Sequence, residues 1–487
     1  MYGMTNLPPR LSTGISGLDA VLDGGLVPNR TYMVRGESGA GKTIAGYHFL
    51  TAGRENDEDV LFISFEESNA DLRANAGTLG FDLSEVPILD LSPSPEAFLD
   101  DEAYTMLSPG EVEGRSTTTE LKEAIEEHDP DRVVIDPLSQ LGRLSSDGYQ
   151  FRRLVSSLLS YLKRSGATTL FTSQPSSGGT DETLAYLCDG SISLSRSDWG
   201  RSVRIEKFRG SDSQTGPHAM RIDGGHGMRV FPRLVPDSHH REFTIEPLSS
   251  GIDDLDTLLG GGIERGSITL VSGPSGVGKS TTGAAFARAT AERGERAAIY
   301  LFEESKRSFR HRSESVGIPI DDLVEAGDLR VDAVEPLSLS TDEFAQRVRA
   351  EVEANDTKFV LIDGTAGYQL SLTDERSDIR RELHALARYL KNMGVTVVLT
   401  EEVQQVTGAF HASDNHVSYL ADNILFIRYI EVRGEIRKAV GVLKKRFGGF
   451  EPTLRSFEIG RDGITVGEPL DELRGILTGT PTWNEAE

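Results

Sequence analysis

The sequence predicts an α/β protein of two tandem domains, residues 1–235 and 236–487, each a mainly parallel sheet with helices on both faces. Three observations carry that expectation. A glycine-rich octapeptide occurs twice, 237 residues apart, as Gly36-Glu37-Ser38-Gly39-Ala40-Gly41-Lys42-Thr43 and as Gly273-Pro274-Ser275-Gly276-Val277-Gly278-Lys279-Ser280. The same separation pairs Gly14-Ile15-Ser16-Gly17-Leu18-Asp19 with Gly251-Ile252-Asp253-Asp254-Leu255-Asp256, and Phe65-Glu66-Glu67-Ser68 with Phe302-Glu303-Glu304-Ser305. Between these, short apolar runs alternate with stretches of helical period, the pattern of parallel strands joined by crossover helices. So long a period exceeds any solenoid unit and marks a duplicated domain.

In each half the first apolar run, Thr31 to Val34 or Ser267 to Val271, predicts a strand that ends at the octapeptide, and a helix follows. Both octapeptides satisfy G-x-x-x-x-G-K-[ST] in the strand–loop–helix context the motif requires. Glycines let successive N–H groups turn inward around a phosphate while the following helix points its positive end at the anion. Gly36, Ser38, Gly39, Ala40, Gly41, Lys42 and Thr43 are therefore expected to hold ATP, as are Gly273, Ser275, Gly276, Val277, Gly278, Lys279, Ser280 and Thr281. Lysine reaches the β- and γ-phosphates, and the hydroxyl of Thr43 or Ser280 ligates Mg²⁺. A glycine turn that binds nothing is the alternative, and two full matches in matching contexts argue against it.

The acidic pairs come next. Glu66-Glu67 and Glu303-Glu304 end a predicted strand 24 residues after the loop lysine in both halves, where a carboxylate can take a proton from water or a hydroxyl attacking the γ-phosphate. Val133-Val134-Ile135-Asp136 then pairs with Val360-Leu361-Ile362-Asp363 at a separation of 227, which places a ten-residue longer loop in the first half around Ser92 to Thr119. Asp136 and Asp363 end apolar strands and are placed to hold Mg²⁺ or its water shell; a strand-terminal aspartate that merely starts a turn is the competing reading. Phe151, Leu154, Leu158 and Leu162, and Ile379, Leu383, Leu386 and Leu390, predict an amphipathic helix in each half. Each ends near a glycine, Gly166 or Gly394, and leads to a further strand, Thr168 to Thr172 or Val395 to Thr400. The 237-residue separation returns at Lys207-Phe208-Arg209 against Lys444-Lys445-Arg446. Pro232 to Arg241 reads as a linker, with His239-His240 solvated.

Composition bounds the environment. No apolar stretch reaches membrane-spanning length and residues 1–10 carry no apolar signal segment, so the expected compartment is the cytoplasm. The single cysteine, Cys188, excludes an intramolecular disulfide and reads as a small buried hydrophobe. A net charge of −25 disfavours a broad nucleic-acid surface. Only 11 of the 51 basic residues are lysine, and an acidic, lysine-poor composition fits a salt-adapted protein. Against that scarcity, lysine in both loops and at positions 207 and 444 points to a need for a compact cation.

Taken together, the two loops, the repeated Phe-Glu-Glu-Ser element, Lys-x-Arg after a late strand, and Ile430-Glu431-Val432-Arg433-Gly434-Glu435 resemble the KaiC family of double-domain ATPases within the RecA-like superfamily, over nearly the whole chain. The resemblance implies two RecA-like domains in a two-tier homohexamer with ATP between neighbouring subunits. It implies ATPase activity concentrated in the first ring and autokinase and autophosphatase activity in the second. By position, Glu66 and Glu303 are similar to the family's general bases, with Glu67 and Glu304 beside them. Lys207, Arg209, Lys444 and Arg446 are similar to residues that reach the γ-phosphate of the adjacent subunit. Ser418 falls on one of two adjacent phosphosites; the family's threonine is replaced by Tyr419.

Other departures also matter. Pro137 and Gly364 follow the strand-terminal aspartates where the family usually has serine, and the chain stops soon after Gly479-Thr480-Pro481, which resembles the start of the family's recruiting tail. The expectation is thus a signalling or timing ATPase with an unidentified protein partner and no membrane, not a full oscillator. Two other classes remain: a RecA-like DNA recombination or helicase ATPase, disfavoured by charge and by the lack of aromatic–basic interleaving, and a nucleotide-gated non-catalytic scaffold, disfavoured by retention of both acidic pairs.

Overall fold

A computed structural model describes residues 9–93, 109–144, 147–175, 180–198, 200–373, 379–403, 418–474 and 482–483. The chain forms two compact units, Met1–Arg233 and Leu234–Glu487. The central part of the longer loop expected around Ser92 to Thr119, and Gly479-Thr480-Pro481, lie outside the described residues.

The first unit holds strands β1 (Thr31–Gly36), β2 (Val60–Ser64), β3 (Ile88–Asp90), β4 (Arg132–Asp136), β5 (Thr168–Ser173), β6 (Gly190–Ser197), β7 (Gly200–Phe208), β8 (Pro217–Asp223) and β9 (Gly227–Phe231). Its helices are α1 (Leu18–Val21), α2 (Lys42–Glu55), α3 (Asn69–Thr78), α4 (Pro109–His128), α5 (Gly148–Arg164) and α6 (Thr180–Leu187). The sheet order is β3-β2-β4-β5-β1-β6-β7-β8-β9. The first six strands run parallel and the last three add antiparallel hairpins.

Alternation along each strand divides the core into two layers, as a sheet covered on both faces requires. Tyr32, Val34, Val60 and Phe62 pack with Tyr47, Phe49 and Leu50 of α2 and Leu72 and Ala76 of α3. Met33, Leu61 and Ile63 face the other way, onto Leu121 and Ile125 of α4, Phe151, Val155, Leu159 and Leu162 of α5, and Leu184 of α6. The buried stripe of α5 is therefore 151, 155, 159 and 162, with Leu154 and Leu158 half-buried on its flank.

The second unit repeats the plan. Its strands are β10 (Pro247–Leu248), β11 (Ile263–Glu264), β12 (Ile268–Gly273), β13 (Ala297–Leu301), β14 (Leu329–Ala333), β15 (Leu339–Ser340), β16 (Phe359–Asp363), β17 (Leu372–Thr373), β18 (Thr396–Glu402), β19 (Asn423–Val432), β20 (Glu435–Lys445), β21 (Arg455–Gly460), β22 (Gly463–Pro469), β23 (Leu473–Arg474) and β24 (Thr482–Trp483). Its helices are α7 (Asp253–Leu258), α8 (Lys279–Glu292), α9 (Lys306–Ser315), α10 (Asp321–Ala326), α11 (Thr341–Asn355), α12 (Thr365–Ser371) and α13 (Ile379–Asn392). The main sheet has the order β14-β13-β16-β18-β12-β19-β20-β21-β22, and β12 lies between parallel neighbours β18 and β19. Helices α8 and α9 cover one face, α11 and α13 the other.

Each unit opens with the same latch. Asp19 accepts from Thr13 N at 2.8 Å and from the hydroxyls of Ser12 (2.6 Å) and Thr13 (2.7 Å); Asp256 accepts from Ser250 N at 2.8 Å and from the hydroxyls of Ser250 (2.7 Å) and Ser249. The duplicated glycine–aspartate segments are thus structural. His239, expected in solvent, packs edge-on against Tyr389 with ring centroids 5.2 Å apart, while His240 is exposed. Cys188 is buried, which pushes its thiol up to about 11.

Candidate active sites

Each loop leaves the carboxyl end of a central strand and enters a helix, the position where open α/β sheets bind ligands. The backbone reversal needs glycine: Gly41 and Gly278 have φ of 106° and 122°, and a methyl at Gly278 would lie 2.4 Å from Ile459 Cδ1. Ala40 and Val277 point into the core, so they offer only backbone to a phosphate. Lys42 Nζ donates to Gly36 O (2.9 Å) and Glu37 O (3.0 Å), and Lys279 Nζ to Pro274 O (2.9 Å). Burial pulls both ammonium groups below the ordinary lysine range.

A cavity of about 670 Å³ in the first unit brings Ser38, Gly39, Gly41, Lys42 and Thr43 together with Glu66, Glu67 and Asp136. In the second unit a cavity of about 390 Å³ joins Ser275, Gly276, Gly278, Lys279, Ser280 and Thr281 to Glu303, Glu304 and Asp363. Residues read as separate signals along the chain thus share one site per unit.

The strand-terminal aspartates are held alike. Ser280 Oγ donates to Asp363 Oδ1 at 2.8 Å and Thr400 Oγ1 donates to the same oxygen at 2.7 Å. Thr400 Oγ1 in turn accepts from Gly364 N at 2.7 Å. In the first unit Thr43 and Thr172 donate to Asp136. Burial raises both carboxyls above the usual aspartate range, and the hydroxyl donors work against that rise. A hydroxyl and a carboxylate side by side next to the loop lysine suit Mg²⁺, which keeps several waters and takes one or two protein oxygens plus phosphate. Among the described residues no cluster of three or more His, Cys, Asp or Glu could hold a metal by itself.

The acidic pairs differ between the units. Glu66 accepts from Gln140 Nε2, and Glu67 Oε2 accepts from Asn75 Nδ2 at 3.1 Å. Glu303 is raised above the usual glutamate range by burial first, then by Asp363 and Glu402. Glu304 is paired with Arg312. Gly364 makes room for Glu303: a methyl there would approach Glu303 Oε1 to 2.7 Å, which gives the loss of the family's serine a steric reason.

The four cations expected to act across subunits line neither loop cavity. Lys207 Nζ donates to the carbonyls of Ala185 (2.9 Å), Tyr186 (3.1 Å) and Cys188 (2.6 Å) at the end of α6, and Arg209 is exposed. Lys444 Nζ donates to Ala421 O at 2.6 Å, and Arg446 pairs with Asp422 at 3.1 Å. Ser418 sits half-buried in a turn before β19 and does not line the second cavity; its neighbour Tyr419 is exposed and meets His384 edge-on. His416 and Val417, which precede it in the chain, lie outside the described residues.

Several site residues had escaped the sequence reading. Thr172 and Thr400 close the two apolar runs read as equivalent strands, Thr168 to Thr172 and Val395 to Thr400, and could have been found by that pairing. Asn75 and Arg312 each fall eight residues after the second acid of their pair. Arg201 and Lys438, 237 residues apart, reach the loop carbonyls of Gly39 and Gly276.

The family model described as "ATPase: KaiC" matches twice, over residues 11–235 and 248–471. The chain is 26% identical over 491 residues to the circadian clock protein KaiC3 of a Synechocystis species, covering 97% of this chain and 95% of that one. It is 28% identical over 490 residues to the circadian clock oscillator protein KaiC of Parasynechococcus marenigrum, covering 97% and 93%. To the protein of that name from Parathermosynechococcus lividus it is 27% identical over 496 residues, covering 97% and 88%.

Proposed function

Because the chain belongs to the KaiC family of ATPases and consists of two RecA-like α/β domains, we propose that it hydrolyses ATP in both units and phosphorylates itself on Ser418. Residues 1–235 would form the first ATPase domain and 236–487 a second with autokinase activity. The observation that carries the reading is the convergence, in each unit, of loop lysine, hydroxyl–aspartate couple and acidic pair on one cavity.

The loop amides and Lys42 or Lys279 bind the β- and γ-phosphates, and Thr43 with Asp136, or Ser280 with Asp363, would hold Mg²⁺, which neutralises charge on the transferred phosphoryl group. Glu66 and Glu303 accept the proton of the attacking hydroxyl, with Glu67 and Glu304 beside them. The raised carboxyl of Glu303 makes its carboxylate a stronger proton acceptor, which suits a base that takes the proton and releases it to return to the charged form before the next turnover. Lys207, Arg209, Lys444 and Arg446, outside their own cavities, would serve a neighbour's nucleotide in a homohexamer and so tie turnover to assembly. Phosphate on Ser418 would add about −1.5 to −2 charge beside a subunit contact and signal the state of the second ring to a protein partner. Among the described residues no helix is long and apolar enough to cross a membrane, and a cytoplasmic location is part of the proposal.

Native mass measurement of the full chain in high salt, with and without Mg·ATP, tests the assembly, together with phosphate release and phosphopeptide mapping. A hexamer with ATP, and phosphate on Ser418 that disappears in Glu303→Gln, is expected. A monomer at saturating Mg·ATP would remove the shared site; an unmodified Ser418 in an ATP-bound hexamer would leave a double ATPase without a phosphoryl switch.

A further inference from the structure

The two acidic pairs occupy equivalent positions and differ in what grips them. In the first unit both partners are neutral amides, Gln140 on Glu66 and Asn75 on Glu67. In the second unit the residue equivalent to Asn75 on α9 is Arg312. Its Nη2 donates to Glu304 Oε1, its Nη1 donates to Thr281 Oγ1 at 3.0 Å, and its guanidinium carbon lies 5.2 Å from the Phe309 ring centre. Thr281 is in the first turn of α8, next to the loop, and Arg312 lines the same cavity as Lys279 and Glu303. Glu303, by contrast, takes a backbone N–H from Gly367 and faces Lys279, Asp363 and Glu402.

We propose that Arg312 is a positioning residue that withholds Glu304 from the nucleotide, so that proton acceptance in the second site falls to Glu303 alone. The inference rests on the reading of the acidic pairs as bases. A guanidinium fixes a carboxylate in direction as well as distance. Here it is itself anchored, through Thr281 on one side and the Phe309 ring on the other. For Glu304 to turn toward attacking water it must give up a charge-assisted hydrogen bond, which reduces that rotamer roughly 10- to 100-fold. Asn75 imposes a weaker hold on Glu67, because a neutral amide releases a carboxylate at smaller cost. One substitution between repeats thus separates a site with two available bases from a site with one. Lower hydrolysis in the second site leaves bound ATP longer for transfer to a protein hydroxyl.

The test uses the full chain carrying Lys42→Ala, which silences the first site, with Arg312→Asn, Arg312→Lys, Glu304→Gln and the Arg312→Asn/Glu304→Gln pair added in turn. Steady-state phosphate release gives kcat and KM, carbodiimide labelling mapped by peptide mass reports access to Glu304, and thermal melts check folding. Arg312→Asn is expected to raise kcat about three- to tenfold with KM unchanged and to expose Glu304 to labelling. Glu304→Gln should cancel that gain, and Arg312→Lys, which keeps the charge without the fork, should fall between the parent and Arg312→Asn. A raised KM with unchanged labelling would make Arg312 a phosphate ligand and overturn the proposal. A fall in kcat that Glu304→Gln leaves untouched would make it structural, with the same consequence. Phosphate release absent from every protein, the parent included, despite bound Mg·ATP would instead overturn the underlying reading of the second site as hydrolytic.

Discussion

Replacing Thr400 with valine removes one oxygen and almost no volume, and that oxygen joins three parts of the second site. Its hydroxyl donates to Asp363 Oδ1 at 2.7 Å and accepts from Gly364 N at 2.7 Å, and all three residues are buried. Valine leaves Asp363 with Ser280 as its remaining hydroxyl donor and leaves the Gly364 N–H with nothing to pair with. A hydrogen bond to a charged acceptor contributes about 1.5–3 kcal/mol and an orphaned buried donor costs about 1–3 kcal/mol. Shape is kept, so no cavity adds to this. The two losses share one atom and overlap, and about 3–5 kcal/mol is expected. Hydrogen exchange read by mass on peptides of β16 and its neighbours should therefore quicken roughly 10²- to 4 × 10³-fold in the second unit, with the first unit unchanged. Thr400→Ser, which keeps the oxygen, should stay close to the parent. Exchange in the valine variant within about threefold of the parent would show that the Thr400 cradle does not hold the end of β16.

Other expectations concern catalysis, pH and assembly. Glu66→Gln with Glu67→Gln should cut phosphate release roughly 10²-fold while ATP binding persists, and unchanged release would remove the first acidic pair from catalysis. His48 is buried, and burial pulls its imidazole down to about 4, while its Nε2 accepts from Met228 N at 2.8 Å. A depressed folded value means stability present above about pH 6.5 and lost as pH falls toward 4, so urea unfolding of the first unit should lose about 2 kcal/mol between pH 7.5 and pH 5. His48→Gln, with an acceptor that does not titrate, should flatten that gradient; a gradient of the same size in the variant would place its origin elsewhere. Arg209→Ala subunits mixed with Lys42→Ala subunits should recover activity at interfaces where an intact loop meets an intact arginine. No recovery in mixed rings whose composition is verified by native mass would make Arg209 a residue of its own subunit.

The parts of this molecule that could be read from sequence are those fixed by short-range geometry. A phosphate loop needs positive φ at set positions, so Gly41 and Gly278 announce themselves. The alternation that splits Val34 from Met33 between two core layers follows from the period of a strand. Helix α5 shows the limit: Leu154 and Leu158 fit the period as well as Val155 and Leu159, and only packing against β5 decides which pair faces inward. Thr172 and Thr400 escaped because threonine in a strand looks like an ordinary β-former, and their role depends on an aspartate about 36 residues away in the chain. Arg312 reads as one more cation in Lys306-Arg307-Ser308-Phe309-Arg310-His311-Arg312, and its hydrogen bonds to Glu304 and Thr281 are tertiary contacts that no local pattern encodes. Lys207 was singled out as a cation, but the helix end it caps is a tertiary neighbour no motif encodes.

The order of strands in the second sheet sets how this unit comes apart under load. An unfolding motor that grips the chain beyond β22 pulls on an edge. Strands β22, β21, β20 and β19 are joined in sequence by antiparallel pairings, so β22, β21 and β20 can be unzipped in turn with few hydrogen bonds strained at once. Strand β19 then lies parallel to β12, which ends at Gly273 of the loop and pairs with β18 along six residues, also in parallel; parallel strands pulled along their length must slide past each other with the whole ladder strained together. Resistance therefore rises steeply at the point where the nucleotide loop would be torn open. A processive protease working from that side should stall there, leaving a fragment that still contains β12, β13, β14, β16 and β18, and bound ATP should lengthen the stall.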